Sequence, residues 1–492
     1  GLVHVITRGD ISTTGVVAHG IFAQSIGGGG GYAGNIDLGV TDFGNAFAFA
    51  GDGGNAGNGG EVKVENFGNI ITRGRGAMGI FAQSVGGGGG LGGTVGAGIG
   101  MAGSVGGIGA GSNVTVAQTG DIRTYGDAAH GIVAQSNGST SGGVYTGSSG
   151  VVTVTSAGNI LVTGAGAHGI VAQSLGGASN GKVVVNINDG SVTGGSGTGV
   201  GIMVLNGASN IITNRGSVSA MSGMALTGGT AAETLDNFGT LSGNVNLGGG
   251  SNSINNFSGA TFNSLANIMI GAGHSFTNEG TLSPGGSRVP QTTLLTGNLQ
   301  QNAGGAYNVD LSLAGRSSDR LDVSGSALLG GSIRVTPIDT GSTQIGSSQR
   351  VVLSATGGVT ANGLTLLAPA SPIVHYTLSY PSNNEVAVSS QVDFSPSSLS
   401  NNGRQIGAHL NAILAAGGSS SLAPTIAALV GMPDEAQLRL AYEKLGPGAL
   451  ATLTNASTTS SLEFNDAMHS CRQRDGDYRF IREGECSWIR LG

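Results

Sequence analysis

Three histidines, four glutamines and two aspartates in this chain occupy fixed places in a repeat, and each set has a chemistry it could perform. His19, His130 and His168 share one place in an octapeptide that occurs four times, as Ala18–Ser25, Ala77–Ser84, Ala129–Ser136 and Ala167–Ser174. Neutral imidazoles stacked in a column could chelate a metal. Met78 interrupts the column and no carboxylate accompanies it in register, so a structural column is expected instead. Gln24, Gln83, Gln135 and Gln173 share a second place, where we expect an amide ladder between in-register strands rather than glycan contact. Asp10 and Asp121 recur in a turn that holds Asn69 and Asn159 in the intervening copies. Polysaccharide cleavage needs carboxylates clustered on one face, or a carboxylate beside Arg or Lys. The alternation with asparagine supplies no such pair, and Asp236, Asp310, Asp319 and Asp322 are scattered further along.

Other motifs have a plain reading. Arg8-Gly9-Asp10 spells the tripeptide that integrins recognise. Its Gly-Asp fills a turn that elsewhere holds Gly-Asn, Gly-Ser or Gly-Thr, so turn chemistry accounts for the aspartate and leaves only Arg8 over. The stretch 51–60 lacks the repeated pattern of calcium-binding nonapeptides and is expected to be a loop. No Lys-Ser/Thr follows the glycine runs, which excludes a phosphate cradle.

Repeats of this kind must be positioned by a solenoid. A Gly-polar-aliphatic step precedes each octapeptide and continues without it at Gly190, Gly216, Gly239 and Gly280, with a weaker copy at Gly259. The spacing falls from 59 residues (Gly9 to Gly68) to 20 (Gly239 to Gly259), a plausible single coil. The expected fold is all-β, a right-handed parallel β-helix of nine coils up to residue 285, about 40 Å long at ~4.8 Å per coil. The long early periods are the same coil with glycine-rich insertions at 27–60, 86–111 and 137–150. Glycine makes up 96 of the 492 residues, and all ten prolines lie at Pro284 or later. Their absence earlier fits strands that are paired on both sides. A net charge of −7 argues against a nucleic-acid partner. With aromatic content at 4%, Tyr32, Phe43, Phe47 and Phe49 in the first insertion are the best candidates for a contact surface.

From Pro290 the strands carry more charge and shorter turns, and from Ser398 the pattern becomes helical. Leu410, Ile413 and Leu414 share a face, while Pro433-Asp434-Glu435 opens a helix bearing Leu438, Leu440, Ala441 and Leu445. A weaker helical signal covers Ala449–Ser470. Glu279-Gly280-Thr281-Leu282-Ser283-Pro284-Gly285, then Gly297-Asn298-Leu299-Gln300-Gln301 with Gly304-Gly305, then Ser318-Asp319-Arg320-Leu321 resemble the C-terminal passenger region of autotransporters (type V secretion). The end, from Cys471 through Cys486-Ser487-Trp488-Ile489-Arg490-Leu491-Gly492, is similar to the junction where such passengers enter their outer-membrane barrel.

The resemblance implies residues 286–395 as an autochaperone-like β cap, 396–486 as a helical linker with the cysteine pair, and 487–492 as the start of the first barrel strand. Gly1 begins in mid-repeat and no barrel follows, so the chain is expected to be a fragment. Export through the chain's own translocator would place it on a Gram-negative cell surface, anchored in the outer membrane or released. Its partners would be the outer-membrane insertion machinery, acting through the barrel, and a surface receptor on host or bacterium. Cys471 and Cys486 could pair in that compartment, closing a loop of ~15 residues worth roughly 3 kcal/mol; two unpaired thiols are the alternative. The expected function is a structural or adhesive rod with no catalytic residues, cofactor or metal. The competing reading is a β-helical polysaccharide lyase or glycosidase.

Overall fold

A computed structural model describes residues 1–27, 57–87, 108–141, 144–315, 317–446, 448–469, 471–472 and 478–479. The chain is a parallel β-helix. Each coil has three strands, as in Val62–Asn66, Ile70–Thr72 and Ile80–Val85, and each strand pairs in parallel with its counterpart one coil on. The first face is a single 12-stranded parallel sheet running from Val3–Thr7 to Val359–Ala361. The second and third faces form another large sheet, and their strands fuse into one longer strand in Thr240–Asn246 and Thr261–Met269.

The core follows from strand alternation, since period-2 burial puts every second side chain inside. Val62 and Val64, Ile70, and Ile80 and Ala82 point inward from one coil and are buried against their equivalents above and below. On the second face the column Ile70, Ile122, Ile160, Val192, Val218, Leu241, Phe262 is fully enclosed. The octapeptide strands Ile80–Val85 and Ile132–Asn137 are buried on both faces. Their glycine is obligatory for a local reason. A Cβ on Gly131 would lie 2.5 Å from the Gly169 carbonyl oxygen and from Ile160 Cγ2, and Gly79 is held in the same way against Gly131.

The coil count exceeds the expected nine because the parallel ladder does not end at residue 285. Asn298–Gln301, Ala327–Leu329 and Val359–Ala361 extend the first face with unchanged register. The change comes at Gly346–Ala355, which still pairs in parallel with Arg320–Val323 yet also takes Glu385–Val392 as an antiparallel partner, and Val374–Ser379 then adds to Glu385–Val392 antiparallel. The hairpin covers the outer edge of Gly346–Ala355, while Val359–Ala361 and Thr365–Leu367 are the last parallel strands of the other two faces.

Four helices follow. Helix α1 (Asn401–Ala415) is capped by Ser400, whose hydroxyl accepts from the Gly403 amide. Pro424 lies in the first turn of α2 (Ala423–Val430), and Asp434 caps α3 (Glu435–Leu445). Helix α4 spans Gly448–His469. Leu410 and Leu438 pack with Ile426, Phe394 and Tyr442 in a second apolar core, whereas Leu440 and Leu445 face solvent. The Tyr442 hydroxyl anchors this unit by donating to the Phe394 carbonyl at 2.6 Å. The expected Cys471–Cys486 disulfide, the barrel strand at 487–492 and the aromatic contact residues Tyr32, Phe43, Phe47 and Phe49 lie outside the described residues.

Substituting Gly131→Ala forces the Cβ into the next coil's backbone and should destabilise the rod by about 1–3 kcal/mol. Urea unfolding followed by circular dichroism measures it. Gly249→Ala, where the nearest atom is 3.5 Å away, should change little.

Candidate functional site

The repeated polar residues all bond from one coil to the next. Gln24 Nε2 donates to Gln83 Oε1 at 2.6 Å, Gln83 to Gln135 at 2.9 Å, and Gln135 to Gln173 at 3.2 Å. The ladder runs one step beyond the octapeptides, from Gln173 Nε2 to Asn206 Oδ1 at 3.3 Å.

The histidines use their rings as acceptors. His19 Nδ1 takes the amide N–H of Met78 at 3.0 Å, His130 Nδ1 that of His168 at 2.9 Å, and His168 Nδ1 that of Val200 at 3.0 Å. The His130 and His168 rings stack at 4.8 Å, only 2° from parallel. Burial pushes His19 and His168 down to about 4 and holds His130 well below the usual imidazole range, with neighbouring histidines adding to the effect on His130. The rings are therefore neutral at pH 7, as an acceptor nitrogen requires. No group of three or more His, Cys, Asp or Glu side chains able to hold a metal occurs among the described residues.

A second ladder of the same length was not expected from the sequence. Asn214, Asn237, Asn256 and Asn278 sit at the end of successive first-face strands, buried, each donating Nδ2 to the next residue's Oδ1 at 2.7–2.8 Å, and Asn278 passes on to Gln301 at 3.2 Å. Its signal was present: in Asn66-Phe67-Gly68, Asn214-Arg215-Gly216 and Asn237-Phe238-Gly239 the asparagine precedes the turn glycine by two. Gly177-Ala178-Ser179-Asn180-Gly181 was also overlooked. It has the residue pattern of a serine nucleophile elbow, but it joins two strands and is exposed.

Both charged ends of Arg8-Gly9-Asp10 are engaged. The Arg8 guanidinium lies over the Phe67 ring at 5.2 Å, and Asp10 Oδ1 accepts the Asn69 amide at 2.8 Å. Asn69 Oδ1 in turn accepts the Asp121 amide, and Asp121 Oδ1 accepts that of Asn159. Alternating Asp with Asn keeps like charges out of adjacent coils, about 4.8 Å apart.

The insertions leave from one corner. The octapeptide's closing serine clamps each exit to the strand that follows. Ser25 Oγ accepts from the Gly60 amide at 2.9 Å, and Ser84 Oγ donates to the Gly60 carbonyl and accepts from the Ser112 amide. Ser136 does the same with the Ser112 carbonyl and the Gly150 amide. A Cβ on Gly27 would lie 2.1 Å from the Gly57 oxygen, on Gly86 2.2 Å from Gly109, and on Gly138 2.1 Å from Gly147. Each insertion therefore departs and returns through a closed neck, and the necks stack in register.

Three buried acids, Asp319, Asp310 and Glu233, lie outside this region. Asp319 accepts the Gln291 and Asp310 amides, both at 2.8 Å, and burial raises it to about 7, with Asp310 adding to the rise. Glu233 accepts from Asn210 Nδ2 at 3.0 Å and is pushed up to about 6 by burial.

A scan against models of known protein families gives no match for this chain, and a search of curated proteins gives none.

The two kinds of buried group titrate with opposite sign. The histidines stabilise the fold fully above pH ~6.5 and lose that contribution as pH falls toward about 4. Burial favours the protonated form of Asp319 and Glu233, so their contribution is present below pH ~4 and lost as pH rises through about 7 and 6. Hydrogen exchange at pH 5 against pH 7, corrected for intrinsic rates, should show the Met78, His168 and Val200 amides losing protection while the Gln291 region holds or gains it. A uniform change along the rod would contradict this assignment. Separately, Met78→His supplies a ring acceptor for the His130 amide and should raise stability by about 1 kcal/mol, read as a higher urea midpoint.

Proposed function

We propose that the chain is a surface-displayed autotransporter passenger that acts as a structural or adhesive rod in attachment to host or bacterial cells. The observation that carries this reading is where the polar residues go. The histidine, glutamine and asparagine columns are spent on bonds between coils, which makes a stiff stack of 12 rungs about 50 Å long. Such a rod holds the stacked insertion necks of its first three coils away from its C-terminal end. The C-terminal order of parallel coils, antiparallel hairpin and helices agrees with the cap and linker that the motifs around Gly280–Leu321 suggest. On this reading the partners are the outer-membrane insertion machinery and a surface receptor, and the location is the Gram-negative cell surface.

Protease treatment of intact cells that produce the protein natively tests display. Loss of the rod from cells whose periplasmic proteins stay intact is the expected result. A rod that survives, while the same protease digests it in lysates, would overturn surface display.

A further inference from the structure

We propose that the groove where the first three coils turn from the first face to the second binds a linear, hydroxyl-rich glycan. The groove has a volume of about 270 Å³, and its polar lining is Asp10, Ser12, Asn69, Asp121 and Arg123, with Ile71 as the outward apolar side chain. The turn ladder consumes one atom of each ladder residue and leaves another outward. Asp10 Oδ1, Asn69 Oδ1 and Asp121 Oδ1 are taken by amides of the following coil. Asp10 Oδ2 and Asn69 Nδ2 have no protein partner among the described residues, and both residues are exposed. Asp121 Oδ2 meets Arg123 at 3.6 Å, a long contact with the Arg123 side chain 51% exposed, so guanidinium N–H groups remain available.

Two exposed aromatic residues lie close to groove residues in sequence, Phe67 two before Asn69 and Tyr125 two after Arg123. Phe67 is 50% exposed with Arg8 over it, and Tyr125 is 45% exposed with Arg73 over it at 5.8 Å. Carboxylate acceptors, an amide donor, a hydroxyl and guanidinium donors thus line one groove. Sugar hydroxyls satisfy donors and acceptors together. A nucleic-acid strand would set its phosphates against Asp10 and Asp121, and a peptide helix would find only Ile71 to bury.

The coil repeat of ~4.8 Å gives the strip a length of about 10 Å, enough for two or three sugar rings lying along the axis. The same spacing separates the backbones of Asp10 and Asp121 by two coils, about 10 Å, with Asn69 between them. That is wider than the ~5 Å of a retaining carboxylate pair and close to the ~6.5–9.5 Å of an inverting one, so the oligosaccharide screen also reads for cleavage products.

The site deepens the adhesive reading and rests on it, so the test separates the two. The full chain is screened against immobilised linear oligosaccharides, alongside Arg123→Ala, Asp121→Asn and, outside the groove lining in a later coil, Lys182→Ala. Asp121→Asn keeps the Oδ1 acceptor, so the turn ladder stays intact. Binding by the parent chain and by Lys182→Ala, weakened about tenfold to a hundredfold in both groove variants with unchanged thermal unfolding, is the expected result. Glycan binding that both groove variants retain would overturn the site. Beads coated with the chain that adhere equally to untreated and deglycosylated cells would also overturn it, while leaving the adhesive role standing. If the beads adhere to neither and no oligosaccharide binds, both readings fail.

Discussion

Coil-to-coil register is the constraint on which everything else in this molecule depends. A parallel coil taken alone exposes three unpaired strand edges, and only the next coil satisfies them. Any side chain that recurs at one place in the coil must therefore meet its own copy about 4.8 Å away. Identical amides tolerate that distance by donating and accepting in sequence, as Gln83 does with Gln135 and Asn237 with Asn256. Identical charges do not tolerate it. Hence aspartate alternates with asparagine along the turn, and the histidines remain neutral and use Nδ1 for the neighbouring backbone.

The constraint also explains where variation is allowed. Glycines of the octapeptide lie 2.5 Å from the next coil's carbonyl, measured from the position of a Cβ, so that place cannot change. At the corner after the octapeptide the chain leaves the ladder, and the serine clamps make the geometry of the return independent of what lies beyond the neck. Insertion length can then vary from coil to coil while the core does not. Loop-closure entropy grows only slowly with length, so long insertions there are compatible with a rigid stack.

The C-terminal end solves the opposite problem, which is to stop. Antiparallel pairing of Glu385–Val392 with Gly346–Ala355 occupies the outer edge of one of the three faces. A separate apolar core under α1, α2 and α3, with Tyr442 bonded to the Phe394 carbonyl, packs beside it. The buried acid Asp319 ties Gln291 of one coil to Asp310 of the next within the same region.

Repetition made the solenoid, the coil length and the glutamine column legible in the sequence, because a period needs no knowledge of distant contacts. The asparagine ladder was equally periodic but hidden, since attention to the turn glycine passed over the residue two before it. Coil number was underestimated because texture shifts at Pro290, while pairing depends on backbone continuity and tolerates that shift. The helix start at Asp434 was legible from its cap, yet which apolar residues face inward was not: Leu440 is exposed and Tyr442 is buried. What the sequence determined by itself is whatever recurs along one strand. Which atoms of Asp10, Asn69 and Asp121 are spent on the ladder and which face solvent beside Arg123 was decided only by tertiary structure, because residues more than fifty positions apart become neighbours only when the coils stack.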